Sequence, residues 1–205
     1  MTYQKDCPHC DPNSFALKHP LLITDNFYMV CDVHSITEGH ILILPKDHIS
    51  CVGAFSPELF AEFTDLYDRV SKFEKATYGK MSSFEHGIIG QTVYHAHVQI
   101  MPFDGKPEDI VPEGLHYLRP IRNIGEVKDA FQRDGKYLFF SIGDNMWLVN
   151  TTLGVSRFFR DRFARALGVP ERGNWKNLKD NPDFMDALQR DIHALESKWK
   201  VYFKK

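Results

Sequence analysis

Two short stretches of this chain bring together residue types that do chemistry. In "QTVYHAHVQIMP", residues 91–102, His95, His97 and Gln99 stand at every second position; in "KDCPHC", Cys7 and Cys10 stand three apart. On a β-strand, residues two apart share a face, so His95, His97 and Gln99 would form a polar row while Tyr94, Ala96, Val98 and Ile100 face away. A neutral imidazole is a nucleophile, a base or a metal ligand near pH 7, whereas a glutamine amide donates and accepts hydrogen bonds but relays no proton. In a reducing compartment a close cysteine pair favours metal or redox chemistry over a structural disulfide. The redox reading lacks the thioredoxin-like context such a motif needs. Cys31 and Cys51 sit in apolar segments and read as buried thiols.

The elements that must position these residues follow from periodicity. "LLITDNFYMVCDV" and "GHILILPKDH" read as two strands joined through "HSITEG". In "SPELFAEFTDLYDRVSKFEKATYG", Ser56 is an N-cap, Pro57 opens the helix, Leu59, Phe60, Phe63, Leu66, Tyr67, Val70 and Phe73 recur at helical spacing, and Gly79 closes it. "KMSSFEHG" reads as a strand running into the glycine loop "GIIG", which leads to the histidine strand. The order β, β, α, β, β predicts an α+β unit, an antiparallel sheet with a long helix on one side. Beyond Pro102 a polar, proline-bearing connection leads to a second region. There "KYLFFSI" and "NMWLVN" form a hairpin around Gly143-Asp144, "SRFFRDRFARALGVP" a helix, and a last helix opens at Asn181-Pro182. Domain limits of 1–108 and 109–205 result, the second part being an α/β extension docked on the first.

With 205 residues, 43% of them apolar, the chain can bury a real core, and a net charge of −2 gives no global pull toward long nucleic acid. No apolar run approaches a membrane span, and "MTYQKDCPHC" lacks the apolar core of a secretory signal, so a soluble, cytoplasmic protein is expected.

Taken together, Cys7-x-x-Cys10, "GHILILPKDH" and "GQTVYHAHVQIMP" resemble the histidine triad (HIT) superfamily over residues 5 to 103. That superfamily includes nucleoside phosphoramidate hydrolases, dinucleoside polyphosphate hydrolases and phosphorylases, and galactose-1-phosphate uridylyltransferase. The resemblance implies a nucleotide hydrolase or nucleotidyltransferase in which His97 attacks the α-phosphorus of a nucleoside 5′-phosphate derivative and carries the nucleotidyl group covalently. Gln99 in place of a third histidine is similar to the phosphorylase and uridylyltransferase branches, where the amide donates to a phosphate oxygen.

The same resemblance implies a structural zinc held by Cys7, Cys10, His48 and His95, with His9 a weaker ligand candidate. It gives Asp32 the ribose hydroxyls, since a carboxylate offers two acceptors to a cis-diol. Val30 and Val33 would pack against the base. Gln91 and Thr92, beside Gly87 and Gly90, are candidates for phosphate contact, because small residues let backbone amides approach an anion. His86 in "FEHG" is a candidate local acid or base. In the extension, Arg157 and Arg160, one turn apart among Arg162 and Arg165, could reach a second phosphate. Relatives of this kind commonly pair through the long helix and a strand, so a homodimer is a further expectation. The competing reading is a non-catalytic, zinc-stabilised nucleotide-binding or scaffold protein.

Overall fold

The computed structural model describes residues 2–204. One antiparallel sheet of eight strands runs through both halves, in the order β1-β2-β3-β5-β4-β7-β8-β6. Its first part comprises β1 (Pro20–Ile23), β2 (Phe27–Cys31), β3 (Ile41–Pro45), β4 (Ser82–Glu85) and β5 (Val98–Met101). The C-terminal half adds β6 (Leu118–Ile121), β7 (Phe139–Ile142) and β8 (Asn145–Val149). β7 pairs with β4 along its length, Ser82 opposite Ile142 and Glu85 opposite Phe139. The extension docks on the first unit as expected, and does so by continuing its sheet, so the free edge that β4 would otherwise present is filled from within the chain.

The long helix α1 (Pro57–Tyr78) forms as its sequence dictates. Ser56 accepts from the Leu59 N–H, Pro57 starts the first turn, and Gly79 closes the helix at a φ of 74° that suits glycine. Its apolar stripe of Phe63, Leu66, Tyr67, Val70 and Phe73 covers one face of the sheet, against Met29, Cys31, Ile43, Val98 and Ile100. Each such side chain buried contributes roughly 1.5–3 kcal/mol of transfer free energy. The last helix, α5 (Pro182–Phe203), adds Ile192, Leu195 and Trp199 to this core.

The alternation of the strands sends their other residues to the opposite face. There Phe84, Met101, Phe103 and Phe140 meet Phe158, Phe159 and Phe163 of α4 (Phe158–Ala166). Phe84 stacks on Phe163 with centroids 5.1 Å apart. Since Gln99 pairs with Phe84 across β4 and β5, it lies on the side that α4 covers. This register is what brings the C-terminal half to the histidine segment.

Three details depart from the periodicity reading. "LLITDNFYMVCDV" is two strands, because Asp25-Asn26 makes a tight turn in which Thr24 N–H donates to Phe27 O and Phe27 N–H to Thr24 Oγ1, both at 3.0 Å. Regular pairing in the histidine segment begins only at Val98, so His95 and His97 precede β5 rather than sit within it. The short helix α2 (Pro107–Ile110), β6 and α3 (Glu126–Asp134) carried no clear signal; Pro120 in β6 is tolerated because that strand is the sheet edge. Among the described residues, no helix is long and apolar enough to cross a membrane.

Candidate functional site

The segment just before β5 is held by its own backbone. Ala96 N–H donates to Ile49 O at 2.6 Å, which ties it to the chain following β3, where His48 stands. His95 is fully buried and its Nε2 lies 2.8 Å from the Pro45 carbonyl. A carbonyl only accepts, so Nε2 carries the hydrogen and Nδ1 the lone pair. That Nδ1 lies 3.6 Å from Cys7 Sγ and 3.5 Å from Cys10 Sγ, while Cys10 Sγ is 3.3 Å from His48 Nδ1.

All four ligand atoms lie within 4.8 Å of one another. A metal holding sulfur at about 2.3 Å and nitrogen at about 2.0 Å in a tetrahedron separates them by about 3.5 Å. Cys7, Cys10, His48 and His95 thus fit the donor set and spacing of a metal centre. Burial pushes the His95 imidazole down to about 4, so it is neutral and able to ligate at pH 7. His9 is not part of this group; its ring stands edge-on to His97, centroids 5.0 Å apart. Cys31 and Cys51 are buried thiols, each pushed up to about 12, burial being the main cause.

Two residues on, His97 faces a cavity of about 300 Å³. Its Nδ1 lies 2.6 Å from the His95 carbonyl, which fixes the hydrogen on Nδ1 and leaves Nε2 with its lone pair. Burial is the main influence holding its pKa below the usual imidazole value. Gln99, Asp32, His86 and Thr92 share the cavity wall. Phe15, Ala16, Val33 and Leu42 give it an apolar side.

His86 Nε2 accepts the Phe159 N–H at 3.2 Å, so the neutral ring carries its hydrogen on Nδ1. Burial drives its pKa down to about 3, which makes it a fixed hydrogen-bonding group rather than a titrating acid or base. Gln91 does not line the cavity: its amide donates to Ser50 O at 2.8 Å, which turns the side chain toward the chain after β3. Val30 is also absent from the wall. It lies beneath, fully buried with Leu17, Leu42 and Leu44.

The far wall comes from the extension, through Arg157, Arg160, Asn174, Trp175 and Lys176. Two backbone donors fasten α4 to the glycine loop and to His86 just before it, Arg157 N–H to Gly90 O at 3.1 Å and the Phe159 N–H already noted. Gly90 has a φ of 71°, and a Cβ there would lie 2.1 Å from Val155 O, so two independent constraints demand glycine. Arg157 adopts a left-handed φ of 58° at the start of α4 and pairs with Asp161 at 3.3 Å. Trp175 stacks on His34, centroids 3.5 Å apart and rings 6° from parallel.

Arg160 reaches across the cavity. Its NH1 donates to Asp32 Oδ2 at 2.7 Å and to Gln99 Oε1 at 3.1 Å, and its NH2 donates to His34 O at 2.6 Å. Asp32 Oδ1 accepts the His34 N–H at 2.8 Å. Burial alone would raise the Asp32 pKa, but the Arg160 charge, followed by the nearby His40 and the His34 N–H, overcomes it and holds the carboxyl well below the ordinary range. His40 Nδ1, 3.5 Å from Asp32, accepts the Ile36 N–H and so carries no proton to share with the carboxylate.

Sequence reasoning missed His40, Trp175 and Lys176. His40 opens the motif "GHILILPKDH", and its adjacent glycine was the available signal. Trp175 and Lys176 carried none, because only the tertiary fold brings residues 170–177 over α4. Gly173 permits that approach, since a Cβ there would meet Asp161 Oδ1 at 2.7 Å.

A HIT domain model matches residues 18–106. Zinc finger CCCH domain-containing protein 64 of Arabidopsis thaliana is 24% identical over 207 residues, covering 92% of this chain and 34% of that protein. Protein hit of Bacillus subtilis is 30% identical over 80 residues, 37% of this chain and 54% of that one. The chain thus spans only a third to a little over half of the curated relatives it matches. A solved member of the HIT family from Bacillus subtilis is 18% identical, with a TM-score of 0.43, covering 63% of this chain and 97% of that one. The matched residues are those that carry the paired strands, the long helix and the histidine segment, and over residues 18–106 the chain is similar to the HIT domain.

Proposed function

We propose that the cavity binds a nucleoside 5′-phosphate derivative and that His97 transfers its nucleotidyl group through a covalent nucleotidyl-histidine. The observation that carries this reading is the tautomer of His97: Nδ1–H is committed to the His95 carbonyl, so the Nε2 lone pair is the free end of the ring. Nε2 attacks the α-phosphorus, the bond from phosphorus to the leaving group breaks, and the leaving group departs with the electron pair as a phosphate anion, which equilibrates its protons with solvent. Water or an acceptor such as phosphate then attacks phosphorus, and the P–N bond returns its electrons to His97.

Gln99 donates to a phosphate oxygen from β5, and Thr92 and His86, which line the same cavity, are further donors to it. Val33, Leu42 and Phe15 suit the flat face of a base. Cys7, Cys10, His48 and His95 would hold zinc, which would tie the N-terminal segment to the histidine segment that carries His97. With Gln99 in the third position, the phosphorylase and uridylyltransferase branches are the favoured ones.

The test is a brief incubation with α-phosphate-labelled diadenosine tetraphosphate or a nucleotide sugar, quenched in alkali. Label should remain on the protein through an acid-labile bond, and His97→Asn should carry none. Tight nucleotide binding without label in wild type would replace this reading with that of a binding module.

A further inference from the structure

Arg160 belongs to the C-terminal half, yet 91% of it is buried against the residues of the proposed transfer site. Its NH1 is shared between the carboxylate of Asp32 and the amide oxygen of Gln99, and its NH2 is bound to the His34 carbonyl. A guanidinium can only donate. The atom of Gln99 that meets it must therefore be Oε1, and the amide nitrogen is left to face the other way. An amide that flipped would offer an oxygen lone pair to a phosphate, which repels it.

From this geometry we infer that Arg160 is a positioning residue for the site: anchored by Asp32 as its counter-ion, it sets the Gln99 amide so that the nitrogen is presented to the substrate phosphate. The inference rests on the nucleotidyl-transfer reading of this cavity. Three features of the fold support it. The register of β4 and β5 places Gln99 on the face that α4 covers. The first turn of α4 is fastened to the glycine loop and to His86 by backbone donors, so the distance from Arg160 to Gln99 is set by rigid elements rather than by a loop. And Asp32, the carboxylate whose two oxygens suit a cis-diol, has one of them engaged by Arg160 and the other by the His34 N–H.

The division of labour also accounts for a glutamine at this position. Its oxygen and nitrogen hold fixed, opposite roles at every pH, whereas a histidine beside an arginine would have to keep one nitrogen unprotonated to accept and the other protonated to donate. A lysine in place of Arg160 retains the charge but not the planar fork that spans Asp32, Gln99 and His34 O at once.

The experiment compares wild type, Arg160→Lys, Arg160→Gln and Gln99→Leu, each alone and with Arg160→Lys and Gln99→Leu combined. The probe is α-labelled diadenosine tetraphosphate, read as rate of labelling at saturating substrate and as KM, with melting temperature and metal content as controls. Arg160→Lys should melt near wild type, lose about 30-fold or more in the saturated rate and change KM by less than threefold. The doubly changed protein should be little slower than Gln99→Leu alone, because the two residues act as one unit. Should Arg160→Gln fail to fold, Arg160→Lys carries the comparison. A wild-type rate in folded Arg160→Lys, or losses that multiply in the combined variant, overturns the positioning role. A wild type that never labels overturns the transfer reading itself and this role with it.

Discussion

Arg160 NH1 donates to Asp32 Oδ2 at 2.7 Å across 128 residues of chain, and both side chains are nearly excluded from water. A buried pair of this kind is costly to break from one side only. Arg160→Met should lower stability at pH 7 by about 3–5 kcal/mol, since Asp32 is left as an uncompensated buried charge. Because Asp32 is held below its unfolded value, its contribution is present above about pH 4 and is lost as pH falls through the folded pKa. The deficit of the variant should therefore shrink in acid. Urea melts from pH 3 to pH 8 measure it, and adding Asp32→Asn to the variant should recover part of the loss.

Cys7→Ser with Cys10→Ser should abolish metal binding at the group they share with His48 and His95. Elemental analysis of wild type purified without chelator should give about one zinc per chain, and the variant none. The melting temperature should drop by more than about 5 °C, since ligand-to-metal free energy is folding free energy here.

Glu74 lies on the buried face of α1, and neither of its side-chain oxygens has a hydrogen-bond partner among the described residues. Burial, reinforced by Glu38, pushes its pKa well above the usual carboxylate range. A raised folded pKa means that the folded state keeps its proton where the unfolded chain loses it. Stability from this group is intact below about pH 4.5 and is lost as pH rises toward the folded pKa, by at most about 1.4 kcal/mol per pH unit. Glu74→Met should leave stability unchanged at pH 4.5 and raise it increasingly toward pH 8. A gain that is the same at every pH would point to packing alone.

Gly90→Ala should lose most labelling of His97 and about 1–3 kcal/mol of stability, because its φ of 71° and the 2.1 Å approach to Val155 O leave a Cβ no room. The informative measurement is the ratio of the two effects: the loop that moves carries His86 and Thr92 to the cavity, so activity should fall further than melting suggests.

Much of this molecule was legible from local pattern. α1 and α5 were readable because their caps and apolar spacing are properties of contiguous residues, and so was the β7–β8 hairpin, whose turn Gly143 occupies at φ 58°. The convergence of Cys7, Cys10, His48 and His95 followed from a resemblance carried by three separated motifs. Arg160 marks where such reading stops. An arginine on an amphipathic helix has the same local signature whether it meets water or Asp32, and only the β4–β7 pairing decides between them. Gln91 shows the converse: its place beside the glycines suited phosphate contact, but Ser50 O offered its amide a nearer acceptor.

The pairing of residues 82–85 with 139–142 also has a meaning in time. A ribosome delivers the histidine segment well before it delivers Arg160, and domains tend to fold as their residues emerge. Until the later strands arrive, β4 is a bare strand edge and Asp32 a carboxylate without its cation. The nascent first half therefore holds His97 and the group of Cys7, Cys10, His48 and His95 before it holds the cavity wall that α4 and Arg160 supply.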